Sequence, residues 1–480
     1  MSDVKHFGAK ADGRTDDTAA IQHALTTGDG VLEFPRGDYR ITKTLVVDLA
    51  RSGRIAIDGS GGTAKIIMDG PGPAFFLKGT HKKSADPLGF APQVWRKERM
   101  PTVADIEIEG RHKDADGIRI TGVMQPTLTG VLIRQVRTAV HVTERCRNLL
   151  IDGCHFYFNT GVGVHLDGVN LHQTIIADSH ISYCRLGGIR IEKSEIRNLQ
   201  ITGNDIEYNN NRSHKVPGAD AVPTAEIFID VGEGSVREGT IASNTIQATY
   251  SPGGANIRFI GRGQRAPRVS DTTVDHKVGM WTITGNLIGS QHVNVHLTSA
   301  RGVVLSGNYI YSGHHRNLLV ENSRNIVVGA NCFGHNPDYR KNELCTGLRF
   351  VDSTEINLHG TLIEDCNAGK HTVPNVVPIK RDALLELIRC RRVNVTGCQV
   401  FDGAPNGVYL ADCSDTVFTG CTVLDRRDKK LMQAAILWKE TAKQSGNLIA
   451  NCRVGTGTQG AIVAPKSVTQ SGNVVDGETG

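Results

Sequence analysis

One short phrase recurs along this chain every 22 to 38 residues, and it constrains the fold more than any other feature. Half of the phrase is an alternating segment. It reads D-G-I-R-I-T-G from Asp116, G-V-H-L-D-G from Gly163, G-I-R-I-E-K from Gly188, E-I-F-I-D-V from Glu226, N-I-R-F-I-G from Asn256 and V-N-V-H-L-T from Val293. The other half is a turn-like tag, I-T-G-N at Asn204 and Asn286, I-A-S-N at Asn244 and L-S-G-N at Asn308. A unit this short cannot bury its own apolar face, so it must stack on copies of itself. Period-two alternation makes each copy a coil of short strands joined by tight turns. The expectation is an all-β solenoid that sets chosen side chains in ladders.

The first 45 residues differ from the rest. Thr15-Asp16-Asp17-Thr18 has the composition of a helix start. Ile21, Ala24 and Leu25 follow at helical spacing, and Gly28 closes the segment. A short amphipathic helix here would cover the open end of a solenoid. The expected organisation is therefore a cap over 1–45 and coils over 46–480. The coils carry insertions at 79–103, 209–224, 262–277, 335–345 and 367–382.

The stretch V-K-H-F-G-A-K-A-D-G-R-T-D-D-T-A-A-I-Q-H-A-L, Val4 to Leu25, resembles the opening motif of the pectate-lyase-like superfamily of right-handed parallel β-helices. Polysaccharide lyases, glycoside hydrolases, alginate epimerases and phage tailspikes share it. The resemblance implies a single-stranded right-handed parallel β-helix with an N-terminal capping helix. It also implies that Asp12, Asp16 and Asp17 serve the opening turn and the helix cap. The N-T-D, D-D, G-H-G and R-I-K set of polygalacturonases is not found, nor is the D-P-H-E stretch of the alginate epimerases. The chemistry must therefore come from the site.

The 480 residues are 39% hydrophobic, with no apolar run long enough to span a bilayer as a helix. A net charge of +5 and no basic block beyond Arg389, Arg391 and Arg392 argue against nucleic acid as a partner. The start lacks a secretory signal, so the expected location is cytoplasmic as given, or periplasmic or secreted if a signal has been removed. Eleven cysteines form no C-x-x-C pair, which argues against zinc. Cys154, Cys398, Cys421 and Cys452 take the Asn position of the tag, while Cys146, Cys390 and Cys413 fall where Ser194, Ser323 and Ser353 fall in other coils. They are expected to be buried free thiols, Cys345 included, which favours a reducing compartment.

If the apolar residues of each strand face inward, the outward centres run Arg119, His141, His165, Arg190, Phe228, Arg258, His296, Leu319, Arg349, Glu386, Tyr409. Two residues on, the next outward column holds Asp167, Glu192 and Asp230. Two residues back, a third column reads Gly163, Gly188, Glu226, Asn256, Asn294. Coils lie roughly 4.8 Å apart, so carboxylates, arginines and histidines would share one face. Three uses are open: a structural ion network, a Ca²⁺ site on Asp167, Glu192 and Asp230, or acid–base catalysis.

The sequence thus suggests a carbohydrate-active enzyme that cleaves a poly- or oligosaccharide, with oligomerisation left open. Hydrolysis is slightly favoured because acids recur on neighbouring coils. Asp167, Glu192 and Asp230, with Glu226 in reserve, are its candidate catalytic groups, and it needs no cofactor. His165, Arg190, Phe228, Arg258, His296 and Arg119 are candidate substrate contacts. The rival is β-elimination on a uronate polymer, with Ca²⁺ on the acids and His165, His296, Tyr157 or Tyr183 as base. A non-catalytic glycan-binding or tailspike-like protein is the third reading. His314-His315 reads as a turn without a third metal ligand.

Overall fold

The computed structural model describes residues 1–83, 89–261, 276–338, 347–365 and 380–476. Two compact units divide the chain, Met1–Thr240 and Ile241–Gly480. The break does not fall at residue 45, because Ser2–Asp3 already pairs with Val31–Glu33, and that strand with Ala56–Asp58.

Within Met1–Thr240 every recorded pairing between coils is parallel. Ala115–Met124 pairs with Thr138–Asp152, which pairs with Val162–Ala177; Gly187–Glu192 and Ala225–Asp230 follow. A separate column of three-residue strands runs Leu132–Arg134, His155–Tyr157, His180–Ser182 and Asp205–Glu207. The unit Ile241–Gly480 repeats the plan. One column passes through Ala255–Ile260, Val293–Thr298, Arg316–Glu321, Leu348–Val351 and Leu385–Ile388. Parallel neighbours need a full coil between them, which matches the period of the sequence phrase.

The opening helix spans Thr18–Thr27 and buries Ile21, Ala24 and Leu25. Asp17 is buried and accepts from Lys10 N and Ala11 N at 2.7 and 3.0 Å. Asp12 accepts from Arg14 N and Thr15 N, and Asp16 from the Thr18 and Thr42 hydroxyls. All three acids serve the turn and cap. No helix among the described residues is long and apolar enough to cross a membrane.

The tag asparagines point into the core. In the second unit, Asn244, Asn286, Asn308 and Asn331 form a chain in which each side-chain amide donates to the next Oδ1 at 2.9 Å. Such a ladder satisfies buried polar groups coil after coil. Cys398, Cys421 and Cys452 continue the position as buried free thiols, and Cys154 holds it in the first unit. Cys390 and Cys413 align with Ser353 as expected. Cys146 does not align with Ser194: a register shift after Thr143 sets it opposite Leu171, itself opposite Ile196. Cys345 lies outside the described residues.

Several positions depart from the outward reading. The whole third column, Gly163, Gly188, Glu226, Asn256 and Asn294, is buried. The first three residues of the strands that carry Glu226, Asn256 and Asn294 are all buried and only the fourth and sixth reach outward. At the strand head Glu226 bonds Asn209, and Asn256 and Asn294 donate to Gly289 O and Tyr311 O. Glu386 is also buried, held by Arg316 and Arg349 at 2.9 and 3.0 Å. Leu319 is 8% exposed.

Candidate functional site

The outward columns keep step in the first unit. Arg119, His141, His165, Arg190 and Phe228 lie opposite one another on five successive strands, as do Thr121, Thr143, Asp167, Glu192 and Asp230. A groove of about 890 Å³ opens over this face. His141, His165, Arg190 and Glu192 form its floor. Lys113, Asp114, Asp116 and Arg137 line one part, and Lys215, Val216, Pro217 and Val222, from the 209–224 insertion, another.

The carboxylates share a column but do not converge. Glu192 turns onto the residue two before it: Arg190 donates Nε and Nη2 to its two oxygens at 2.6 and 3.0 Å. His165 Nε2 meets the same carboxylate at 3.1 Å. The hydrogen bond to His165 and the charge of Arg190 pull Glu192 down to about 2. Asp167 leans the other way, onto His141 Nε2 at 3.2 Å. Asp230 accepts from its own turn at Gly232 N. The trio Asp167, Glu192 and Asp230 therefore does not gather as an oxygen cage for Ca²⁺, because Glu192 has both oxygens engaged by cationic or imidazole groups.

The histidines do gather. The His141 and His165 rings stack with centroids 5.2 Å apart and planes 14° from parallel. Burial pulls His141 below the usual imidazole range, against the opposing pull of Asp167. Arg190 lies 4.7 Å over the Phe228 ring, so Phe228 supports a guanidinium on one face. Arg119 sits over Phe76 in the same way. Arg137 forks onto Asp116 at 3.2 and 2.7 Å.

Other candidates are not among the groove-lining residues. Arg258 and His296 are paired neighbours in the second unit, where Arg258 donates to Thr298 and His296 meets Glu321 at 2.7 Å. Burial lowers His296. Glu226, the reserve carboxyl, lies inside the coil, accepts from Asn209 N and Nδ2, and is pushed up to about 8 by burial. Tyr157 and Tyr183 pack edge to face 5.2 Å apart and are not among the groove-lining residues. His314 and His315 sit in the turn before Arg316–Glu321, with His315 stacked on His292 and His314 buried. Of the insertions, 262–275, 339–346 and 366–379 lie outside the described residues.

The sequence reading missed several groups. Lys113, Asp114, Asp116, Arg137 and Lys215 line the groove without having been singled out, although Asp116 opens the first repeat quoted above. Glu321 stands to His296 as Glu192 stands to His165, one coil on and two residues further. Extending the acid column would have found it.

Comparison with known proteins agrees with this architecture. Residues 1–71 match the family model of rhamnogalacturonase A/epimerase, pectate lyase-like. Residues 101–225 match the model of the right-handed β-helix region. The chain is a right-handed parallel β-helix whose opening is similar to the pectate-lyase-like model. It is 25% identical over 399 residues to the uncharacterized protein YclG of Bacillus subtilis, covering 73% of this chain and 65% of that one. A 43-residue stretch is 51% identical to alginate lyase 7 of Azotobacter vinelandii, covering 8% and 5%. Among solved structures, tailspike protein 3 of bacteriophage CBA120 aligns over 100% of this β-helix and 60% of the tailspike, at 12% identity and a TM-score of 0.42. The chain spans less than two thirds of the length of the curated relatives it matches.

Proposed function

We propose that this β-helix is a carbohydrate-active enzyme that cleaves an acidic, uronate-containing polysaccharide by β-elimination in the groove of the first unit. The observation that carries this reading is the groove's lining. Lys113, Arg137, Arg190 and Lys215 bring cationic groups, His141 and His165 bring imidazoles, and the acids present are engaged with cations. A polyanion suits such a surface, whereas hydrolysis needs a carboxyl placed to protonate the leaving oxygen. Glu192 is poorly placed for that task with both oxygens held by Arg190 and His165. Asp116 is held by Arg137.

Elimination distributes the work differently. Cationic groups neutralise the uronate carboxylate, which makes the C5 proton more acidic. An imidazole of the His141–His165 pair takes that proton, with Asp167 orienting His141. The C4–O bond breaks as the C4–C5 double bond forms, and the imidazolium returns the proton to the departing oxygen. The match of residues 1–71 to a pectate-lyase-like model and the local identity to alginate lyase 7 support a sugar-acid substrate.

The test is a panel of acidic and neutral polysaccharides with product analysis. An unsaturated, ultraviolet-absorbing product from an acidic polymer supports the reading. Saturated products with new reducing ends would place hydrolysis ahead of it.

A further inference from the structure

His141, His165 and Asp167 each bring one donor atom to within 4.8 Å of the other two, the one such gathering of His, Cys, Asp or Glu found among the described residues. The side chains are half-buried, at 28%, 19% and 40% exposure. Two of the three lie on the groove floor. Adjacent coils hold the rings in register, so the donors rest on paired strands and not on a loop.

We propose that these three residues form a site for a divalent transition metal such as Zn²⁺, with its open coordination position facing the groove. Donor type decides the class. Two imidazole nitrogens and one carboxylate oxygen suit Zn²⁺ and its neighbours, whereas Ca²⁺ and Mg²⁺ prefer oxygen throughout. Three protein ligands and one open position is also how zinc is held where a further ligand must enter. Distance permits it. A tetrahedral ion with bonds of about 2.0–2.2 Å separates its donors by roughly 3.3 Å. His141 Nε2 and Asp167 Oδ2 are already 3.2 Å apart. From 4.8 Å, a donor would have to close by no more than roughly 1.5 Å. Glu192, fixed by Arg190, braces the His165 ring as carboxylates brace metal-bound imidazoles.

The site has a consequence that rests on the elimination reading. An ion on both imidazoles removes them from proton transfer, so Zn²⁺ inhibits cleavage and a chelator restores it.

Direct metal titration of the full chain tests the site without any substrate. Co²⁺ is added to the chelator-treated protein and followed by its visible absorption, and Zn²⁺ by calorimetry. One ion per chain is expected, with affinity reduced at least tenfold in His141→Ala and in Asp167→Asn. Circular dichroism checks that each variant folds; His165→Gln replaces either one that does not. Absence of saturable binding, or the same affinity in the folded variants as in the parent, overturns the proposal. Because no polysaccharide enters the titration, its result stands apart from that of the cleavage assay. If the metal binds and Zn²⁺ leaves cleavage unchanged, the inhibitory role falls and the imidazoles are not the proton acceptors.

Discussion

At the scale of single residues, the groove is organised by side chains that hold one another. Glu192 is the hub, taking two bonds from Arg190 and one from His165. A hydrogen bond to a charged group contributes about 1.5–3 kcal/mol. Glu192→Gln should therefore lower turnover by roughly tenfold or more through loose His165 and Arg190 side chains, with little change in fold. Steady-state kinetics beside a melting curve checks this. The alignment of Asp167, Glu192 and Asp230 was legible in the sequence because a strand's period of two fixes which residues share a face. Where each carboxylate turns was not legible. Asp167 leans back to His141 on the preceding coil, and Glu192 folds onto its own strand, choices made by rotamers and local charge. Glu226 was misread for a different reason. Alternation holds over the last residues of the strand, but its first three are all buried, and there Asn209 meets the carboxyl.

At the scale of elements, the ladders make sharper predictions than the apolar core. Asn308 accepts from Asn286 N and Nδ2, and donates to Ile283 O and Asn331 Oδ1. Asn308→Ala leaves several buried polar groups without partners and should cost about 2–4 kcal/mol in denaturant unfolding. The inward aim of the Gly-Asn tag was legible through the cysteines that take its Asn position; the amide-to-amide chain from coil to coil was not. The root of the 209–224 insertion carries a pH signature. Folded, Glu226 keeps its proton to about 8, while an unfolded glutamate loses it at about 4.3. Between these values the folded chain binds the extra proton. The stability from Glu226 is thus complete below about pH 4 and is lost as pH rises through 8, by at most about 1.4 kcal/mol per pH unit. Burial and Asp205 raise Glu207 to about 7, which adds a change of the same sign. Glu226→Gln should flatten the decline in an unfolding series from pH 5 to 9.

At the scale of the whole molecule, the coil plan was the most legible property, because a repeated phrase leaves few alternatives to stacking. The opening helix was legible through its cap and spacing, Asp17 to Gly28. The division at residues 240 and 241 was not, since the same phrase runs on both sides of it. Arg258 and His296 belong to the second unit, and His165 and Arg190 to the first. The nine described cysteines are free, eight of them buried. Reductant should therefore leave the melting temperature unchanged, and a thiol reagent should label the native chain slowly until denaturant is added.

On the elimination reading, the groove's imidazoles carry out the cleavage. Its most direct test compares the parent chain with His141→Gln and His165→Gln on whichever acidic polymer yields unsaturated product, measuring binding and turnover together. Binding within a few-fold of the parent and turnover reduced roughly a hundredfold or more is the predicted result. If both variants cleave at the parent rate, the imidazoles are not the proton acceptors.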